Sequence, residues 1–394
     1  MVNVCERPAA KRPRSTLFAR QVVANARQAR MSHIVIDARE SGTSTGRYVD
    51  KLIENLATLS TPHRFSLLTK SSRIEYLREI APGFDIVKTP YKEFTLGEQI
   101  GFKKQIDSLH PDLVHFPMVQ QPAFYRGRVV TTMQDLTTVR FRNPAKNVAV
   151  FWVKQQVYKW LNKRVAHKSA LLITPTEFVK NDVASYCHVP LEKITVTYES
   201  SDEMPAGSAP YEPAANKPFI MYVGRPTPHK NLDRLIEAHQ QLRLEHPELL
   251  LVLVGKKDAN YQLHERSIKD RNYQGIYFTD FVSDAQLRWL FEHCLAYIFP
   301  SLSEGFGLPA LEAMLHGAPV VSSTATCLPE VYGEAAHYFD PYGVEDMAAK
   351  INEVINDEAL RSSLIKKGYR QAGKYSWERM ARQTLAVYDR VLKS

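Results

Sequence analysis

Short apolar runs separated by amphipathic stretches recur through the first half of the chain. The first run is HIVID at His33–Asp37, and a stretch with helical periodicity follows it at Tyr48–Leu59. Later runs of the same kind are FSLLT at Phe65–Thr69, DLVHF at Asp112–Phe116, VVTTM at Val129–Met133 and ALLITP at Ala170–Pro175. Continuous apolar strands that alternate with helical patterns are typical of a parallel sheet covered by helices.

The pattern stops at Ser200–Pro218, which holds four prolines and almost no aliphatic residues, and it resumes afterwards. We therefore predict an α/β protein with two Rossmann-like, doubly wound lobes, 31–200 and 218–375, joined by a linker at 201–217. The last stretch, 376–394, has a helical pattern and could cross back to the first lobe. Ligands of open α/β sheets bind beyond the carboxyl ends of the strands, so the lobes should face each other across a cleft.

Composition narrows the class of protein. Hydrophobic residues make up 44% of the chain and charged residues 24%, which is ordinary for a globular protein. We expect no transmembrane helix, because no apolar run reaches eighteen residues. The cysteines form no CxxC pair, so we expect neither a metal site nor a disulfide framework, and a reducing, cytoplasmic compartment fits best; they are Cys5, Cys187, Cys294 and Cys327.

The net charge of +9 is concentrated at the N-terminus. Residues 1–30 hold seven basic side chains and one acidic one, or +6, which leaves only +3 for the rest of the chain. This leader could be a solvated disordered tail, a contact for nucleic acid or an anionic membrane, or a targeting peptide. We favour a basic disordered tail and expect no nucleic-acid partner.

The first motif with chemical content is SLSEGFGLPALE at Ser301–Glu312, directly after an apolar run. Gly305 and Gly307 allow the backbone to approach a ligand, and the helix that follows offers unpaired N–H groups to an anion. Glu304 can accept a hydrogen bond from a sugar hydroxyl, and Glu312 can accept from the two hydroxyls of a ribose. The alternative is a plain strand–loop–helix junction with two surface glutamates.

A second motif, GRPTPHKN at Gly224–Asn231, also follows an apolar run directly. Its two cations, Arg225 and Lys230, lie on one loop between a strand and a helix, where they could grip a diphosphate. The alternative is a solvated surface pair. Two loops of one lobe, one with cations and the other with free N–H groups, favour a ligand that carries a diphosphate.

These motifs resemble a known family. VGRPTPHKN, FVSDAQL, FPSLSEGFGLPALEAMLHGAPVVSS and LPEVYGEAAHYFDP are similar to the group 1 retaining glycosyltransferases of family 4, which have the GT-B fold. The resemblance implies that Arg225 and Lys230 bind the donor diphosphate and, with Glu304, form the catalytic set. It also implies donor contacts from Gly305, Phe306, Gly307, Leu308 and Glu312, with Val282 in the loop Phe281–Ser283 near the base. Glu330 also matches a family position, for which we predict a structural role.

Candidate site residues are harder to identify in the first lobe. The loop Gly42–Arg47 matches the family's glycine-bearing loop that faces the donor phosphate, so Gly46 and Arg47 are candidate donor contacts. The alternative is a tight turn between a strand and a helix with no role in binding. His115, Gln134 and Asp135 end strands where acceptor-side or sugar contacts belong. The family commonly has His before this Asp, whereas Gln134 can hydrogen-bond a hydroxyl but cannot move a proton. His115 could equally be a buried histidine with satisfied hydrogen bonds.

Residues 146–168 combine basic and aromatic side chains, namely Lys146, Lys154, Lys159, Lys163, Arg164 and Lys168 with Trp152, Tyr158 and Trp160. Such a helix could rest on the inner face of an anionic membrane, where a lipid-linked acceptor would lie. The alternative, which we favour, is a helix with Trp152, Val153, Val157 and Trp160 packed into the lobe and its lysines solvated.

Together these features predict a retaining hexosyltransferase that uses a GDP- or UDP-hexose of the mannose or glucose type, without a cofactor or metal ion. The chain has no Asp-x-Asp motif of the kind that commonly binds a divalent ion in other transferases. We expect a front-face substitution in which the leaving phosphate helps to remove the acceptor proton. A non-catalytic nucleotide-sugar-binding protein and a sugar-nucleotide epimerase are the alternatives.

Overall fold

The computed structural model of the protein describes residues 31–43, 45–141 and 148–394, and the basic leader 1–30 lies outside them. Within these ranges the chain forms two parallel β-sheets, each with its own buried hydrophobic core. None of the helices in the described ranges is both long and apolar enough to cross a membrane.

The first sheet has seven parallel strands in the described residues, in the order β3-β2-β1-β4-β5-β6-β7. They are β1 His33–Asp37, β2 Arg64–Thr69, β3 Asp85–Lys88, β4 Leu113–Phe116, β5 Val129–Thr132, β6 Leu171–Thr174 and β7 Ile194–Val196. The helices of this lobe are Arg47–Thr58, Ile74–Ile80, Lys103–Ser108, Thr137–Arg140, Val148–Lys168 and Glu177–Cys187. The central strands are buried because helices cover both faces, which explains their unbroken apolar runs.

The second sheet has six parallel strands in the described residues, in the order β10-β9-β8-β11-β12-β13. They are β8 Phe219–Val223, β9 Leu250–Val254, β10 Ile276–Phe278, β11 Ala296–Phe299, β12 Val320–Ser323 and β13 Ala336–Phe339. The helices are Leu232–Leu242, Ala259–Asp270, Asp284–His293, Leu308–Leu315, Leu328–Tyr332, Val344–Asn356 and Glu358–Ala372. The two predicted Rossmann-like lobes are thus present.

The C-terminal helix Trp377–Lys393 belongs to the first lobe in space. Ser376 caps it by accepting a hydrogen bond from the Arg379 amide, and its apolar face packs beside the helix Arg47–Thr58. Met380 and Tyr388 on that face are fully buried in the first-lobe core. The chain therefore returns to the first lobe after completing the second.

The order of the strands reverses between β1 and β4 in the first sheet and between β8 and β11 in the second. Open α/β sheets bind ligands at such switch points, beyond the carboxyl ends of the strands. The two motif-bearing loops, Gly224–Asn231 and Ser301–Gly307, follow β8 and β11 respectively. The fold thus brings the two motifs of the second lobe to one edge of its sheet.

Glu330 joins the lobes. Its carboxylate accepts hydrogen bonds from the backbone amides of Glu177 and Phe178, each at 2.8 Å, and from the Tyr198 hydroxyl at 2.9 Å. Because these amides begin the helix Glu177–Cys187, a carboxylate from the second lobe caps a helix of the first. This geometry supports the predicted structural role of Glu330.

Candidate active site

The cation loop of the second lobe is held in place by Asn231. This residue has a left-handed backbone (φ 59°) at the start of the helix Leu232–Leu242. Its side-chain amide donates to the carbonyl oxygens of Pro300, at 3.1 Å, and Pro341, at 2.7 Å. Asn231 is buried, so these bonds fix the loop after β8 against the loop after β11.

The two cations of this loop differ in their surroundings. Lys230 Nζ lies 2.5 Å from Glu304 Oε1, and both side chains are largely buried. Arg225 is exposed, and its guanidinium forms no ion pair with the described residues. The structure therefore brings Lys230 and Glu304 together, as the two motifs predict, and leaves the Arg225 guanidinium accessible at the same edge.

The glycines of the second motif allow close approach of the two lobes. A Cβ atom on Gly305 would lie 2.1 Å from the backbone oxygen of Gln134, so only glycine fits there. Gly307 has φ +93°, a left-handed value, and its carbonyl accepts a hydrogen bond from the Tyr332 hydroxyl at 2.6 Å. The helix Leu308–Leu315 begins directly after it. Of its first three residues, Pro309 has no N–H and Ala310 donates to the Gly307 carbonyl, which leaves the Leu308 amide for a ligand.

Glu312 forms an ion pair with Arg47 of the first lobe, and Arg47 also pairs with Asp202 of the linker at 2.9 Å. Burial raises the pKa of the Glu312 carboxyl, and the Arg47 charge opposes that rise. Arg47, predicted to lie near the donor phosphate, thus reaches across the cleft to the glutamate predicted to hold the ribose.

A cavity of about 310 Å³ separates the lobes, a size in the range of small-ligand sites. The predicted residues that line it are Arg47, Gln134, Asp135, Glu304, Gly305, Phe306, Gly307 and Leu308. Residues that line it without having been predicted include Glu40, Tyr48, Met118, Tyr158 and Glu199. Five other predicted site residues are not part of the cavity wall, namely Arg225, Lys230, Glu312, Val282 and Gly46.

His115 does not reach this cavity. Its ring is fully buried, with Nδ1 2.6 Å from the Tyr388 hydroxyl and Nε2 2.9 Å from Thr132 Oγ1. Burial lowers its pKa to about 3. The structure therefore corrects the placement of His115: it is a buried histidine with satisfied hydrogen bonds that attaches the C-terminal helix, because it lies within β4 rather than in the loop beyond it.

Gln134 and Asp135 follow β5 and form part of the cavity wall. Asp135 Oδ1 accepts a hydrogen bond from the Thr137 amide at 2.8 Å, and burial raises the pKa of its carboxyl. The Gln134 Nε2 atom is buried and has no hydrogen-bond partner among the described residues. Both side chains thus present polar atoms where a sugar hydroxyl could bind.

Glu199 is the main residue that the sequence did not indicate. It follows the short strand β7, is only 5% exposed and lines the cavity. Burial raises the pKa of its carboxyl to about 7, and the neighbouring Gln134 amide and the Arg47 charge oppose that rise. Its only sequence signal is a charged residue directly after a short apolar segment, at the edge of the proline-rich linker.

The loop predicted to lie near the base begins with Phe281, whose side chain is 88% exposed. Val282 is half-buried against the second-lobe core, and Ser283 caps the helix Asp284–His293 in a reciprocal arrangement with Gln286. The loop lies after β10, on the same lobe as the cation loop. A base contact from Val282 stays a prediction.

The helix Val148–Lys168 presents its aromatic face to the outside. Trp152 is 62% exposed and Trp160 48% exposed, while Leu161 and Val165 are buried instead. The favoured interpretation, with both tryptophans packed inward, is therefore wrong. Lys146 lies outside the described residues, and Lys168 turns inward to donate to the Pro122 carbonyl.

Two protein-family models match the chain, one on each lobe. Glycosyltransferase Family 4 matches residues 45–202, and Glycosyl transferases group 1 matches residues 207–371. O-antigen chain mannosyltransferase B of Escherichia coli is 28% identical over 377 residues, which cover 88% of this chain and 96% of that protein.

Solved structures show the same architecture. Sucrose-phosphate synthase from Thermosynechococcus elongatus has a TM-score of 0.73 at 19% identity, covering 92% of this chain and 99% of that one. Anabaena HepE in complex with UDP and glucose has a TM-score of 0.67 at 17% identity, covering 91% and 99%. At these identities the likeness shows the fold, so the predicted GT-B fold is confirmed.

Proposed function

The chain belongs to the group 1 glycosyltransferases, and on that premise we propose that it transfers a hexose of the mannose or glucose type from GDP- or UDP-hexose. The acceptor in this proposal is a growing glycan or a lipid-linked sugar in polysaccharide biosynthesis. An Escherichia coli O-antigen mannosyltransferase among the relatives, and UDP with glucose bound to a protein of the same fold, support this choice.

The observation that carries the donor site is the contact between Lys230 and Glu304 at 2.5 Å. It joins the cation loop after β8 to the glycine turn after β11, at the switch point of the second sheet. A diphosphate there would contact the ammonium of Lys230, the guanidinium of Arg225 and the amide of Leu308 at the start of the helix Leu308–Leu315. Glu304 would then accept a hydrogen bond from the sugar.

The proposed reaction retains the configuration of the sugar. The bond from the anomeric carbon to the diphosphate oxygen breaks, and the acceptor oxygen bonds to the same face while its proton passes to the leaving phosphate. The enzyme positions the partners and stabilises the diphosphate charge through Arg225 and Lys230, so no metal ion is needed. Trapping a glycosyl adduct on Gln134 or on a carboxylate of the cleft would argue against this route.

The test is thermal unfolding with UDP, GDP, ADP and dTDP, each with and without magnesium. A diphosphate at about 100 times its Kd should add roughly 2.7 kcal/mol of stability, or a rise in Tm of about 2–4 °C. We expect one diphosphate to act without magnesium and Arg225→Ala to abolish the shift. Arg266→Ala, which removes another exposed arginine of the same lobe, is the matched control. No shift with any diphosphate would overturn the donor site.

The same proposal places the protein in the cytoplasm, at the inner face of a membrane. The first lobe exposes Phe124, Trp152 and Trp160, and the rings of Phe124 and Trp160 lie 6.0 Å apart. The guanidinium of Arg164 lies 5.7 Å from the centre of the Phe124 ring, and Lys154 is exposed on the same helix as the two tryptophans. Aromatic side chains beside cations are typical of surfaces that bind anionic lipid.

Co-sedimentation with vesicles tests this surface. We expect binding to vesicles that contain anionic lipid, weaker binding to neutral ones, and loss of binding in Lys154→Glu/Arg164→Glu. Lys217→Glu/Lys269→Glu reverses two exposed charges of the linker and second lobe and should leave binding unchanged. Equal losses in both double variants would point to a general effect of net charge rather than to this surface.

A further inference from the structure

The cleft holds a carboxylate that the donor-site motifs leave without a role. Glu199 follows β7 on the first lobe and lines the cavity together with Glu304 and the backbone of Gly305 and Gly307. It is nearly completely buried in the protein, at 5% exposure. Its carboxylate therefore borders the same space as the turn proposed to hold the donor sugar.

The other acidic groups of this region have assigned partners, and Glu40 accepts from the hydroxyls of Thr43 and Thr45. Glu304 is paired with Lys230, Glu312 with Arg47, and Asp135 accepts the amide of Thr137. Among the described residues no cation lies within ion-pair distance of Glu199. A buried carboxylate without an ion pair costs stability, and such groups cluster where a ligand needs them.

The neighbour of Glu199 completes a pattern that suits a sugar. Gln134 lies beside Glu199: its amide is close enough to lower the pKa of that carboxyl, although its buried Nε2 atom makes no full hydrogen bond with the described residues. A diphosphate would be repelled by the carboxylate, whereas a neutral sugar offers hydroxyl groups that both donate and accept. The two side chains thus match adjacent hydroxyls rather than a phosphate.

We propose that Glu199 is a specificity-determining residue that accepts a hydrogen bond from a hydroxyl of the transferred sugar, while Gln134 donates to the same sugar. The inference rests on the proposed function, since it requires a sugar nucleotide in the cleft. It adds a contact from the first lobe to the sugar, across the cavity from the contact proposed for Glu304 of the second lobe.

The experiment compares nucleotides with and without the sugar, in the absence of acceptor. Calorimetric titration of GDP against GDP-mannose and of UDP against UDP-glucose separates the contribution of the sugar to the Kd. In Glu199→Gln we expect the Kd of the bare diphosphate to be unchanged and that of its sugar nucleotide to rise about tenfold. Glu199→Asp, which keeps the charge but shortens its reach, should give the same pattern.

The control is Glu192→Gln, which removes an exposed carboxylate just before β7 and outside the cavity. Equal changes in the Kd of diphosphate and sugar nucleotide, or no change in either, would overturn the role of Glu199 in sugar recognition. Failure of wild-type protein to bind any of the four nucleotides would instead overturn the proposed function, and this inference with it.

Discussion

The two walls of the cleft carry opposite chemistry. The second lobe offers the cations Arg225 and Lys230, which lie beyond the cavity wall, and the backbone of the turn Gly305–Gly307, which is part of that wall. The first-lobe wall offers the carboxylate of Glu199 and the amide of Gln134, together with Arg47, whose charge is paired with Glu312. Positive charge suits a diphosphate, and neutral or acidic hydrogen-bonding groups suit hydroxyls. Under the proposed function the two lobes make different contacts to one ligand, so substitutions on each wall should have separable effects.

The largest effect on activity is expected from a substitution in the second lobe, at the cations proposed to bind the diphosphate. Lys230→Met removes the ammonium proposed to stabilise the leaving diphosphate and leaves Glu304 without its partner. Because charge stabilisation acts mainly in the transition state, kcat should fall by about 10²–10³. The kcat is measured from initial rates with the sugar nucleotide whose diphosphate raises the Tm. Lys269→Met, an exposed lysine of the same lobe, should retain full activity, and a loss of only a few-fold at Lys230 would place the charge stabilisation elsewhere.

The next effect tests the contact between the walls. Gly305→Ala would place a Cβ atom 2.1 Å from the backbone oxygen of Gln134, so one wall must move away from the other. We expect a loss of about 1–3 kcal/mol of stability and of most activity, measured by urea unfolding and initial rates. Gly83→Ala meets nothing within 4 Å and is the control. Unchanged activity in Gly305→Ala would show that catalysis does not need the walls this close.

A third prediction concerns the first-lobe wall and uses the pH dependence of the protein's stability. Burial raises the pKa of Glu199 from 4.5 to about 7, with Asp135 adding to the rise and Arg47 and Gln134 opposing it. The folded protein therefore binds the proton more tightly than the unfolded chain, so this contribution to stability is present below pH 4.5 and is lost as the pH rises to 7.

Removing the charge should therefore stabilise the protein at high pH. We expect Glu199→Gln to be more stable than wild type by on the order of 2 kcal/mol at pH 8 and nearly equal to it at pH 4.5. Urea unfolding at both pH values measures the difference. Greater stability combined with weaker sugar binding is the behaviour of a ligand-binding residue. A destabilised variant at pH 8 would indicate that Glu199 has a structural partner instead.

The two walls also differ in how far the sequence predicts them. The second-lobe groups lie within two contiguous segments, Gly224–Asn231 and Ser301–Glu312, each on a loop after a strand, so local pattern and family resemblance both reach them. The first-lobe wall is assembled from Arg47, Gln134 and Glu199, which come from three segments far apart in the chain. The ion pair between Arg47 and Glu312 spans 265 positions, and no local pattern encodes such a contact.

The fold, like the site, could be predicted from the sequence only where the local pattern is distinctive. The central buried strands were predicted within about one residue, because burial on both faces produces an unbroken apolar run. The edge strands Asp85–Lys88 and Ile194–Val196 were not predicted, since they are short and partly exposed. The outward face of the helix Val148–Lys168 was predicted wrongly because tryptophans beside lysines fit either a core or a surface.

The smallest predicted effect is a loss of stability at a hydrogen bond between the two lobes. Thr137 Oγ1 and Ser303 Oγ lie 2.9 Å apart, each buried, on opposite lobes. Thr137→Val keeps the shape but removes the hydroxyl, so stability should fall by about 1 kcal/mol, with little change in the Kd of a diphosphate. Ser303→Ala should give a similar loss, and the double variant should lose less than the sum of the two, with a coupling of about 0.5–1 kcal/mol in urea unfolding. Strictly additive losses would mean that the two hydroxyls do not meet in solution. The lobes would then be held together by their other contacts, such as the Glu330 carboxylate on the helix Glu177–Cys187 and the ion pair between Arg47 and Glu312.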